Sequence, residues 1–269
     1  MVSYSEDSTR RNMLRCVSVL TTLLCALLGA RAGLPAADRT ITVLAAASLT
    51  DAFRAIQPDF ERANPGVKLR LEFGASSTLR TQIEQGSPAD VFASADEEQM
   101  QALAQARRVE APSPFARNRL VLVVPAANPG KIATPADLAR PGLRLVTTAP
   151  AVPIGHYTQA LLQKMEKVRG YPPDFAQRVE RNVVSREANV RAILAKVELG
   201  EADAAFVYAT DARSSRRVRV VPLPGGISVT ASYPIAVISG SPNRREAEAF
   251  VRFVQSRAGQ AALRRYGFF

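Results

Sequence analysis

Three short segments of this chain place small or hydroxyl-bearing residues where an apolar run gives way to a helical pattern. They are Ala45-Ala46-Ala47-Ser48-Leu49-Thr50-Asp51, Phe73-Gly74-Ala75-Ser76-Ser77 and Ala151-Val152-Pro153-Ile154-Gly155. A helix start offers backbone N–H groups without intrahelical acceptors, at the positive end of the helix dipole, so it suits an anion. Ser48 and Ser76 add hydroxyl donors, Pro153 suits a first helical turn, and Gly155 permits close approach. Each segment also has an ordinary explanation. Ser48 reads as an N-cap, with Asp51 three residues later as its capping-box partner; Ser76 reads as a cap, and the third segment as a loop. Their recurrence at three strand-to-helix turns is what points to oxyanion chemistry, because α/β proteins bind ligands at the carboxyl ends of parallel strands.

The elements around these turns alternate. Ile41 to Ala47 is an apolar run suited to a buried strand, and Leu49, Phe53, Ile56 and Phe60 then recur at helical spacing until Asn64-Pro65-Gly66. Val67 to Phe73 alternates as a strand, a helix follows to Gly86, and Asp90 to Ala93 reads as another strand. Leu120 to Pro125, Leu143 to Val146, Ala204 to Tyr208 and Tyr233 to Ile238 continue the series, with helical patterns over about 155–168, 188–199 and 244–256. The class is α/β with mostly parallel sheets.

Bulk properties narrow the chemistry. The 269 residues are 47% hydrophobic and 22% charged, which is a globular composition with enough length for two lobes. The net charge is +11, yet Lys and Arg are scattered in short clusters such as Arg216-Arg217-Val218-Arg219, and Trp is absent. A concentrated basic face with stacking aromatics is missing, so nucleic acid is not the expected partner. Arg10, Arg11 and Arg15 precede an apolar run from Cys16 to Ala30 and then small residues, the pattern of a secretory signal. Residues 1–37 are therefore expected to be an export signal, with Met13 as an alternative start. Both cysteines, Cys16 and Cys25, fall inside it, and its removal leaves a net charge of +9.

Taken together, the segments resemble the periplasmic molybdate-binding proteins of bacterial uptake transporters, over about residues 40–269. The most specific pieces are Ala45 to Ala52, Gly74 to Leu79, Gln82 to Asp96 and the ending Arg265-Tyr266-Gly267-Phe268. The resemblance implies a two-lobed type II periplasmic-binding fold, each lobe a mixed, mostly parallel sheet flanked by helices. One lobe is expected to hold 39–117 with 231–269, and the other 118–230. It implies an oxyanion held by the hydroxyls of Ser48, Ser76 and Tyr208 and by backbone amides that include Ile154 and Val190. Ile154 is bulkier than the small residue expected there, a change that a backbone contact tolerates. Molybdate or tungstate is the implied ligand, with no cofactor and no directly bound metal. The implied partner is the membrane permease of an ABC-type importer, and the implied state is a periplasmic monomer.

Two other classes compete. A sulfate-type or other oxyanion-binding protein is the nearest. An enzyme on the same two-lobed frame is the second, and here His156 is the sole histidine, beside Gly155. It has no partner nucleophile or metal cluster in sequence, and it reads as an exposed loop residue. Asp90 and Asp96 form a carboxylate pair that a strand end and a solvated turn explain. Hydroxymethylbilane synthase shares the architecture but needs a cysteine, and none follows residue 37. No catalytic residue is expected.

Overall fold

Residues 39–269 are described by a computed structural model, and they form one compact unit. The expected export signal, both cysteines and the alternative start at Met13 lie outside the described residues. Along the chain, β1 (Arg39–Ala46) passes through a single 3-10 turn, Ala47–Leu49, into α1 (Thr50–Ala63). Two further units follow, β2 (Val67–Gly74) with α2 (Ser76–Glu84) and β3 (Val91–Ala93) with α3 (Glu97–Gln105). The long β4 (Val109–Pro125) leads to β5 (Leu145–Thr148), α4 (Pro153–Glu166), α5 (Phe175–Arg181) and β6 (Val183–Glu187). The remainder is α6 (Val190–Glu198), β7 (Ala205–Tyr208), α7 (Ala209–Ser214), β8 (Val218–Val221), β9 (Thr230–Ile238), α8 (Arg244–Gln255) and α9 (Arg257–Arg265). Among the described residues no helix is long and apolar enough to cross a membrane.

β1 pairs in parallel with β2 on one side and β3 on the other. β9 then inserts antiparallel between β3 and β4, giving the order β2-β1-β3-β9-β4-β7 with β8 also on β4. β5 and β6 form a separate parallel pair, tied to the main sheet by a parallel bridge from Leu145 to Ala204. The expected mixed, helix-flanked α/β class is the one observed. From Ile41 onward β1 is buried on both faces, as a central strand under helices must be. α1 turns Phe53, Ile56 and Phe60 inward, and Phe250 of α8 meets Phe53 and Phe60 edge-on at centroid distances of 5.6 and 5.2 Å. Gly66, at φ 81°, turns the chain back into β2.

β4 is far longer than the segment Leu120–Pro125 expected from sequence. Pro112 and Pro114 conceal its first half, since proline cannot donate to a ladder. The strand accommodates them with register shifts between Glu110 and Ser113 and between Pro114 and Ala116, and with Ala111 at φ 40°.

Candidate functional site

The turns singled out by sequence meet. Ser48, Ser76, Ile154, Val190 and Tyr208 all line one small pocket with about 230 Å³ of empty space, together with Ala46, Ala75, Ala95, Val152 and Asn189 among others. No Lys, Arg, Asp or Glu side chain is among its lining residues. A larger, mainly apolar cavity of about 480 Å³ lies between α4 and the strands β5 and β7, with Leu122, Leu145, Leu162 and Phe206 in its walls, and it contains none of the five residues.

Each element delivers its group in a distinct way. Ser48 sits inside the 3-10 turn after β1 and is 3% exposed. It does not cap α1: the N-cap position is Leu49, without a side-chain cap, and Asp51 instead holds Nη2 of Arg191 at 2.5 Å. The hydroxyl of Ser48 lies 2.8 Å from that of Tyr233 on β9. Ser76 is the first residue of α2 and also caps nothing; its Oγ accepts the Ala95 N–H at 3.0 Å. The capping explanation therefore fails for both serines.

Ile154 occupies the second position of α4, behind Pro153, so its N–H falls among the amides that an α-helix leaves without an intrahelical acceptor. Gly155 behaves differently from expectation. A side chain there would meet the Ala149 carbonyl oxygen at 2.4 Å and Thr148 Oγ1 at 2.6 Å, so its smallness serves helix–strand packing and not ligand approach. Val190 opens α6 behind Asn189, whose side-chain oxygen accepts the N–H groups of Arg191 and Ala192 at 3.0 and 3.2 Å. That cap takes the next two amides and leaves the Val190 N–H out of the cap. Tyr208 ends β7 and begins α7; its hydroxyl is buried and has no hydrogen-bond partner among the described residues. Complete burial pushes its pKa well above the ordinary tyrosine value, so the phenol keeps its proton and remains a donor.

The charges stand just outside. Arg191 also reaches fully buried Asp211, with Nε 2.9 Å from Oδ1. Burial pushes Asp211 up to about 7, with Arg191 opposing. Asp96 is 3% exposed, contrary to the solvated turn expected for it. It caps α3 through the Gln99 N–H, and burial pushes it up to about 6. Asp90 is buried as well, accepting the Thr42 N–H at 2.7 Å and the Ser241 hydroxyl at 2.6 Å. His156 is exposed, but on the first turn of α4 and not in a loop, with Nδ1 3.9 Å from Glu98. Among the described residues no group of three or more His, Cys, Asp or Glu is placed to hold a metal ion.

Sequence reasoning missed Tyr233, Asn189 and the Ala95 amide. Asn189 before a helical pattern is a readable cap signal. Tyr233 and Ala95 carry no local signal, because they meet the serines only through the sheet. The arrangement as a whole offers neutral donors from hydroxyls and helix starts, a set suited to the oxygens of an anion.

Helix-start turns gathered at strand ends in this topology define a solute-binding class. The chain belongs to the family of bacterial extracellular solute-binding proteins, whose model matches residues 41–269. Among individual proteins it is similar to the molybdate-binding protein ModA of Mycobacterium tuberculosis, at 41% identity over 232 residues covering 86% of this chain and 84% of that one. Two solved structures share the fold. The sulfate-binding protein SubI from Mycobacterium tuberculosis aligns with a TM-score of 0.75 and 24% identity, covering 86% of each chain. The Azotobacter vinelandii periplasmic molybdate-binding protein aligns with a TM-score of 0.70 and 20% identity, covering 85% of this chain and 98% of that one. The fold is thus the periplasmic-binding fold, shared by proteins for different anions.

Proposed function

We propose that this chain captures molybdate, and tungstate equally well, outside the cytoplasmic membrane and hands it to the membrane permease of an ABC-type importer. Convergence of Ser48, Ser76, Ile154, Val190 and Tyr208 on one pocket without a charged side chain carries the reading. The relative at 41% identity, named for molybdate, supports the choice of anion. Hydrogen bonds to a charged group contribute about 1.5–3 kcal/mol each, so five or more converging donors support submicromolar affinity after the ordering costs of binding. A deprotonated tetrahedral anion presents only acceptors. Protonated phosphate brings an O–H that finds no acceptor among donors. Sulfate is acceptor-only too, so size must exclude it, and Mo–O and W–O bonds are longer than S–O bonds.

In this reading 39–117 with 231–269 forms one lobe and 118–230 the other. The serines then belong to the first, and Ile154, Val190 and Tyr208 to the second. The contacts that join these segments include the Asp51–Arg191 ion pair and the Gln99 side-chain amide donating to the Ala151 carbonyl at 3.3 Å. An anion touching both lobes favours the closed form through its differential contacts. The protein works as a monomer without a cofactor or a catalytic step, exported by residues 1–37. Calorimetry with molybdate, tungstate, sulfate and phosphate tests this. Tight binding of the first two alone is expected; sulfate binding as tightly as molybdate overturns the size argument, and no heat with any of the four overturns the oxyanion reading.

A further inference from the structure

A hydroxyl can donate or accept, and a pocket for an acceptor-only anion works only if its hydroxyls point their protons inward. The structure contains the means to set that direction. Behind Ser76 stands the Ala95 N–H, which can only donate; at 3.0 Å it occupies a lone pair of Ser76 Oγ and leaves the serine's own proton for the pocket.

Behind Ser48 stands a second hydroxyl, that of Tyr233 at 2.8 Å, and either oxygen could be the donor. The ambiguity is removed by following the bonds outward. The Arg119 backbone N–H donates to Asn118 Oδ1 at 3.0 Å, which fixes which end of that amide is which. Asn118 Nδ2 therefore faces Thr210 Oγ1 at 2.9 Å and the Tyr233 hydroxyl at 3.5 Å. An amide nitrogen brings only protons, so the Tyr233 oxygen accepts on that side. Asn118 and Tyr233 are both 0% exposed. If Ser48 donated to Tyr233, the phenol proton would have no acceptor in a fully enclosed site, an arrangement that is costly. Ser48, by contrast, borders the pocket and has somewhere to send its proton.

We propose that Tyr233, oriented by Asn118, is a positioning residue that makes the Ser48 hydroxyl an obligate donor into the pocket, and that the pocket thereby rejects oxyanions carrying a proton. The proposal rests on the oxyanion reading above. Neither residue lines the pocket; both act through Ser48. Direction passes from a backbone amide of β4 through Asn118 and Tyr233 to the pocket wall, so the sheet itself dictates the chemistry offered to the ligand.

The test is a double-substitution cycle in the full-length protein, read by calorimetry with molybdate and with phosphate at pH 8. If the unsubstituted protein binds no molybdate, the oxyanion reading itself has failed, and this is seen before any variant is made. Tyr233→Phe removes the donor behind Ser48 and is expected to weaken molybdate binding about ten-fold. In the same variant the ratio of molybdate to phosphate affinity is expected to fall several-fold, because Ser48 is then free to accept. Tyr233→Phe combined with Ser48→Ala is expected to bind no more weakly than Ser48→Ala alone. Losses that multiply, or a Tyr233→Phe variant with unchanged affinity and ratio, overturn the proposal. Thermal unfolding checks that Tyr233→Phe folds; if it does not, Asn118→Ala carries the same cycle with the same expected non-additivity.

Discussion

The pocket and the face around the C-terminus both favour anions, and they do so by opposite means. The pocket is small, set between helix starts and lined without a charged side chain. The other face is open. Arg117, Arg119, Arg213, Arg264 and Arg265 are all exposed there and form no ion pair with a carboxylate of the described residues. Arg119 lies over the Phe269 ring at 5.0 Å, Arg213 packs beside Gly267, and Arg117 exchanges backbone hydrogen bonds with Phe269. An exposed charge acts over distance but weakly, about 1 kcal/mol against another charge at 4 Å in water, and salt screens it beyond roughly 8 Å. Donors inside the protein reach only a touching oxygen, but water and salt do not dilute them. Under the proposed function, the comparison predicts a division of labour in which arginines set how often a dianion arrives and the neutral pocket sets how long it stays.

The largest expected effect tests how poorly the pocket's surroundings tolerate charge. Burial raises Asp96 to about 6 from an ordinary carboxylate value near 4, so the folded state holds its proton longer than the unfolded state does. The stability from that proton is full below about pH 4 and is lost as pH rises to about 6. Denaturant unfolding at about pH 4 and pH 7 should show Asp96→Asn gaining on the unsubstituted protein by on the order of 3 kcal/mol across that window. No gain would mean that the carboxylate is better solvated than its burial implies.

Next come the donors themselves. Tyr208→Phe should weaken molybdate binding about thirty-fold, yet raise the stability of the ligand-free protein by about 1 kcal/mol, because it deletes a buried hydroxyl without a partner. Ser76→Ala should weaken binding to a similar degree but lower stability, since it strips the Ala95 N–H of its acceptor. Calorimetry paired with thermal unfolding separates the two signs. The smallest effect is expected on the open face. Replacing Arg117, Arg119, Arg264 and Arg265 together by Gln should change the molybdate Kd by no more than about three-fold, all of it in an on-rate that is slower at low salt. A change in the off-rate, measured by stopped flow, would break the comparison.

The turns that hold Ser48, Ser76 and Ile154 are legible because their signals are local, whereas Val190 and Tyr208 are marked only by the family likeness. A strand, two or three small residues and a helix start are contiguous in Ala45–Asp51 and Phe73–Ser77, and a family likeness is carried by the same stretches. What governs those groups was not legible. Tyr233 stands 185 residues from Ser48, and only the insertion of β9 beside β3 and β4 brings its strand into place. Asp96 looked like a solvated turn because its burial depends on neighbours elsewhere in the fold. The first half of β4 was hidden by Pro112 and Pro114, whose local preference the surrounding sheet overrides with bulges. Gly155 was readable as special but not for what, since its neighbours Thr148 and Ala149 press on it only after α4 folds back.

The place of β9 has a consequence for how this protein comes into being. Only α8 and α9 follow it in the chain, yet it fills the middle of the main sheet, between β3 and β4. A chain synthesised only as far as α7 therefore carries two raw strand edges facing an empty lane, and neither half of the sheet can close. Closure has to wait for contacts that span more than a hundred residues in sequence, as in the antiparallel pairing of Val109 with Ile238, and long loops of this kind make folding slow. Until β9 arrives, the edges of β3 and β4 that it later covers are open to edge-to-edge aggregation.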